Sequence, residues 1–118
     1  MKKDELQHLI YQVMTVDSND DTSVQLAWDA LARGIVDGYE VARDYLLTQA
    51  SFAEIEAVGE VFTDVLAQAT STETKQQFVQ LFSQAVERAE HLDPNEVQWL
   101  KDSLSFSMKE NGLSEEGI

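Results

Sequence analysis

Ser51-Phe52-Ala53-Glu54-Ile55-Glu56-Ala57-Val58-Gly59-Glu60-Val61-Phe62-Thr63-Asp64-Val65-Leu66-Ala67-Gln68-Ala69 is bounded by a helix start at one end and a polar break at the other. Ser51 and Glu54 stand three apart, the spacing of a capping box. The serine oxygen takes an orphan amide of the first turn and the glutamate reaches back to the cap amide. Ile55, Val58, Phe62, Val65, Leu66 and Ala69 then recur with a period near 3.6 and make one apolar face. Away from that face stand Glu56, Glu60 and Asp64 at i, i+4 and i+8, a single acidic stripe. Neither lysine nor arginine occurs between 51 and 69 to neutralise it. Like charges at this spacing cost a helix about 0.2–0.5 kcal/mol per pair. The spacing predicts one helix over 51–69 and makes Glu56, Glu60 and Asp64 the first candidates for binding a partner. The bland alternative is a solvated helix face.

The same period continues on both sides. Upstream, a helix over 4–15 carries Leu6, Leu9, Ile10, Val13 and Met14. An acidic loop comes next, Asp17-Ser18-Asn19-Asp20-Asp21. The second helix begins at Thr22 or Ser23, buries Val24, Ala27, Trp28 and Leu31, and is expected to close at Gly34. A helix over 37–50 turns Tyr39, Ala42, Leu46 and Ala50 inward. Asp37, Glu40 and Asp44 form a second acidic row on it, softened by Arg43. Tyr45 lies off its main face and is a candidate contact residue.

Downstream, Thr70-Ser71-Thr72 breaks the chain before a helix with Phe78, Leu81, Phe82, Ala85, Val86 and Ala89 inward. Asp93 is the expected cap of the last helix, Pro94 its first residue and Glu96 the end of a second capping box. Leu92 and Val97 are placed to staple across it. Val97, Leu100, Leu104 and Met108 face in. Trp99 and Phe106, seven apart, point elsewhere. They are either sandwiched between neighbouring helices or exposed as an aromatic patch, and in the second case Trp99 is an interface anchor.

With 118 residues, one proline and five glycines, the chain reads as one all-α domain over 1–109, with a flexible acidic tail over 110–118. Five to six antiparallel helices are expected, stacked as helical hairpins in a HEAT/armadillo-like short solenoid. An orthogonal helical bundle is the alternative arrangement.

Charge bounds the function. Twenty-two acids stand against eight bases, a formal net charge of −14, where a small domain needs a magnitude of only about 2–8 for solubility. That surplus repels itself and points to a basic protein partner, with no direct nucleic acid and no anionic membrane. The absence of cysteine excludes disulfides, thiolate metal sites and a cysteine nucleophile. Lys2-Lys3 gives way to Asp4-Glu5, and His8 and Gln12 interrupt the apolar residues beyond them. No leader is therefore expected, and a cytoplasmic setting is.

Enzyme signatures are missing: no glycine-rich phosphate loop, no His-Glu-x-x-His, no Gly-x-Ser-x-Gly. Asp17-x-Asn19-x-Asp21 opens like a calcium loop, but Thr22 stands at its glycine position and Trp28 at its bidentate glutamate. Glu5 and His8 are the one Glu-x-x-His pair, too few for a di-iron bundle. His91 suits a helix C-terminus, where a cation complements the dipole. No cofactor, metal or catalytic residue is assigned.

Ala27-Trp28-Asp29-Ala30-Leu31 through Leu104 resembles the small acidic helical-repeat (HEAT-like) immunity proteins of bacterial toxin–immunity systems. The resemblance is carried by the helix Glu54-Ile55-Glu56-Ala57-Val58-Gly59-Glu60-Val61-Phe62, the Thr70-Ser71-Thr72 break and the subsequent Phe78-x-x-Leu81-Phe82 helix. It implies a non-enzymatic inhibitor that neutralises a basic toxin by occlusion, a nuclease being one kind that must hold phosphates. The expected contact residues are Glu56, Glu60 and Asp64, with Asp37, Glu40 and Asp44 in support and Tyr45 and Trp99 as aromatic anchors. The rival readings are a phage- or plasmid-borne DNA mimic and a helical scaffold or regulatory module.

Overall fold

The computed structural model describes residues 1–17 and 19–113. Ser18, in the acidic loop, and 114–118, most of the expected tail, lie outside the described residues. Among those described, the order is α1 (Lys3–Thr15), α2 (Asp21–Asp37), α3 (Tyr39–Thr48), α4 (Phe52–Gly59), α5 (Phe62–Gln68), α6 (Thr72–Leu92) and α7 (Gln98–Glu110). No described helix is long and apolar enough to cross a membrane.

On α6 the periodicity expected from sequence is the one that packs, whereas on α2 only Leu31 of the expected inward residues is buried and Val24, Ala27 and Trp28 are half-buried. Phe78, Leu81, Phe82, Ala85, Val86 and Ala89 of α6 are all buried, while Gln76, Gln77, Gln80 and Gln84 stay exposed. Phe82 stacks on Phe62 with ring centroids 4.3 Å apart. Phe78 meets the edge of Tyr39 at 5.4 Å. These rings tie α3, α5 and α6 into one core, and offset or edge-on aromatic pairs add about 0.5–1.5 kcal/mol beyond their burial. Around it, α1 packs on α2, α3 and α4, while α4 and α5 both touch α6 and α7.

Four boundaries differ from the sequence expectation, each for a local reason. The helix expected over 51–69 is two, α4 and α5, broken at Glu60–Val61. Val61 has φ −114° and ψ 11°, and its amide bonds back only three residues, to the Val58 carbonyl at 3.0 Å. Val61 and Phe62 on either side of the break are both fully buried, so the chain changes direction inside the core rather than at the surface.

Gly34 does not end α2. A Cβ there would lie 2.6 Å from Leu9 Cδ1, so the glycine is the point where α1 crosses closely, and the chain bends at Gly38 instead. Asp37 accordingly ends α2 rather than starting α3.

The capping box at Asp93 does not form. The Asp93 carboxylate accepts from the Asn95 amide at 3.2 Å, making a local turn over 94–96 that competes with helix. Helix α7 starts only at Gln98, and Leu92 stays 49% exposed, so the expected staple buries one partner, Val97, and not the other.

Lastly, Glu110 belongs to α7 rather than to a tail. Gly112, at φ 70°, donates to the Lys109 carbonyl at 3.1 Å and Leu113 to the Met108 carbonyl at 2.8 Å. That is a Schellman closure, and Leu113 packs against the core.

Candidate protein-binding groove

Where α1, α4 and α7 converge, an open groove of ≈ 400 Å³ is lined by Val13, Met14, Ala53, Glu56, Ala57, Glu60 and Trp99. Helix α4 supplies the floor. Its small side chains Ala53 and Ala57 are one turn apart and leave a depression beside Glu56 and Glu60. Ser51 accepts from the Glu54 amide, and Glu54 accepts from the Ser51 amide at 3.0 Å, so the capping box expected from sequence starts this helix.

Trp99 forms one wall because Gly59 lets α7 in. A Cβ on Gly59 would lie 2.6 Å from Leu100 Cδ2 and 3.0 Å from Trp99 Cζ3. The approach is held by Ser103, whose hydroxyl donates to the Gly59 carbonyl at 3.1 Å, and by Thr63 and Ser107, whose hydroxyls are 2.7 Å apart. Trp99 nevertheless keeps 42% of its surface exposed, and Met14, on the facing wall, 47%. Phe106, on the same side of α7, is 59% exposed. Of the two alternatives for this aromatic pair, exposure is the one realised.

The carboxylates are under tension. Partial burial against the groove wall pushes the Glu60 carboxyl above its ordinary value, and the negative charge of Glu56 adds to the push. Neither glutamate has a hydrogen-bond or ion-pair partner among the described residues. The single ion pair there joins Lys101 to Glu90 at 3.0 Å, and both side chains are too exposed for it to contribute much. Two other cations serve the backbone. Arg88 donates to the Leu46 carbonyl at 3.2 Å and to that of Ala50. Lys75 donates to the Leu66 carbonyl. Cations at helix C-termini complement the dipole, and used this way they neutralise no carboxylate.

The remaining expected site residues fall elsewhere. The break at Glu60–Val61 takes Asp64 off the Glu56/Glu60 line and sets it near Asp29 of α2. Burial and then the Asp29 charge raise its carboxyl. Asp37, Glu40 and Asp44 are exposed, but they sit on α2 and α3 and line no part of the groove. Tyr45 is not a surface anchor: it is 3% exposed, its hydroxyl donates to Glu54 and accepts from Gln7 at 3.3 Å. It fastens α1 and α3 to the start of α4. Sequence reasoning missed Met14, read as core, and the Ala53/Ala57 depression. The pair of alanines at i, i+4 beside two glutamates at i, i+4 was the available signal.

The chain matches no protein-family model, no curated protein and no solved structure.

Proposed function

We propose that this protein is a non-enzymatic, acidic inhibitor that occludes a basic protein partner, and that it acts as an immunity protein against a basic bacterial toxin domain. The observation that carries this reading is the groove itself. It brings together three residues expected from sequence to make contact, Glu56, Glu60 and Trp99. Among the described residues its two carboxylates have no hydrogen-bond or ion-pair partner, and its aromatic wall is open to solvent. Carboxylates of this kind speed encounter with a basic surface and set its register. An exposed tryptophan is the residue type that most often dominates such interfaces. In overall arrangement, the contacts of α4 and α5 with α1, α2, α6 and α7 favour the closed bundle over an open solenoid. A closed bundle presents a compact face for occlusion rather than an extended concave one.

The test is titration against a purified basic effector domain encoded beside this gene. Binding is expected to weaken as salt rises from about 0.05 to about 0.5 M, because the screening length contracts severalfold over that range. Glu56→Gln/Glu60→Gln is expected to weaken it at low salt and to flatten the salt dependence. An affinity unchanged across the series sinks the proposal.

A further inference from the structure

We propose that the α1/α4/α7 groove is a socket for one arginine side chain of the basic partner, with the guanidinium between Glu56 and Glu60 and over the Trp99 ring, and its apolar stem along Ala53, Ala57 and Met14. This rests on the reading of the protein as a binder of basic partners and names what that binder recognises.

Four features of the groove converge on this occupant. Its size, ≈ 400 Å³ and wide open to solvent, admits a long side chain from outside. Its floor is small and apolar, Ala53 and Ala57, so an aliphatic stem meets methyl groups and not polar atoms. Its acidic edge is a pair one helical turn apart, with β-carbons about 5–6 Å from each other. That spacing lets two carboxylates reach one planar group from two sides. Its aromatic wall is an indole with 42% of its surface free, and a guanidinium stacks on such a ring better than on any other side chain.

Arginine rather than lysine is the choice that geometry makes. A guanidinium presents five donors in a flat fork and can bond two carboxylates while its face lies on an indole. An ammonium is a strongly hydrated point charge that does neither well. Charge complementarity is unspent: Glu56 and Glu60 repel each other with no cation of this chain between them, and an arriving guanidinium relieves that repulsion.

The experiment is an NMR titration of the full chain with three short peptides, identical except for one central residue: arginine, its uncharged isostere citrulline, or lysine. The readout is the indole N–H resonance of Trp99, assigned by its loss in Trp99→Leu. The arginine peptide is expected to shift this resonance saturably, the lysine peptide to bind at least about threefold more weakly, and the citrulline peptide to leave it unmoved. Glu60→Gln is expected to weaken the arginine peptide by about tenfold, the loss of one charge-assisted contact. Equal shifts from arginine and citrulline overturn the socket, as does an arginine response unchanged in Glu56→Gln/Glu60→Gln.

A basic effector domain bound equally well by wild type and by that double variant would also overturn the socket while leaving the acidic-inhibitor reading in place. Wild-type protein that fails to bind any such domain ends that reading instead.

Discussion

Glu60 is the residue where local chemistry is most legible. It stands at the end of α4, partly desolvated at the edge of the groove, with Glu56 one turn behind. Both effects favour its protonated form and raise its carboxyl above the ordinary 4.5. The folded protein therefore binds more protons than the unfolded chain just above that value, and stability falls as pH rises through the window. Asp64 acts in the same direction through burial and Asp29. Asp20 acts oppositely. Its carboxylate caps α2, accepting from the Ser23 hydroxyl and amide, and those bonds hold it below the ordinary 3.8. Its contribution is present above that value and is lost as pH falls through the lowered one.

Glu60→Gln isolates the first effect. At neutral pH the variant should be more stable than wild type by about 0.2–0.5 kcal/mol, the size of a like-charge i, i+4 pair. Below the ordinary carboxylate range the two should converge. Urea unfolding at several pH values measures the difference, and a constant offset would contradict the assignment.

At the scale of the element, helix ends tell more than helix interiors. The α4 start obeys its capping box, because a serine and a glutamate three apart satisfy each other's amides without help from the rest of the chain. The expected α7 start fails, because Asp93 finds a nearer amide at Asn95 and closes a turn first. The α7 end holds through Gly112. Its φ of 70° is a conformation an L side chain adopts only with strain, and a Cβ there would meet nothing within 4 Å.

Gly112→Ala therefore isolates backbone conformation from crowding. It is expected to cost about 1 kcal/mol and to raise hydrogen exchange in the last turn of α7, at Lys109 to Leu113. An unchanged exchange pattern would mean the closure contributes nothing.

For the whole molecule the governing quantity is the net charge of −14. Among the described residues only one ion pair forms, and two further cations are committed to helix carbonyls. The radius of gyration, 13.3 Å, is close to the roughly 13–14 Å of a compact chain this long. The surplus charge is thus held at short range, where it opposes folding. Salt shortens the screening length from about 30 Å at 0.01 M to about 10 Å at 0.1 M. The melting temperature of the free protein should therefore rise by several degrees over that range, as read by circular dichroism. A melting temperature that falls with added salt would mean that favourable ion pairing, not repulsion, dominates the surface.

The placing of the helices, apart from the division at Val61, and most of their inward faces are written in the order of residues, because apolar period and capping spacing act over a few positions. The sign of the surface is written there too, because charge is additive along the chain. Which acids belong together is a matter of packing. Packing broke the helix at Val61, parted Asp64 from Glu56 and Glu60, sank Tyr45 into a contact with Glu54, and set Trp99 beside a glutamate pair distant in the chain. Each depends on which backbone can approach which, as at Gly34 and Gly59. Those approaches are long-range contacts that no local spacing encodes.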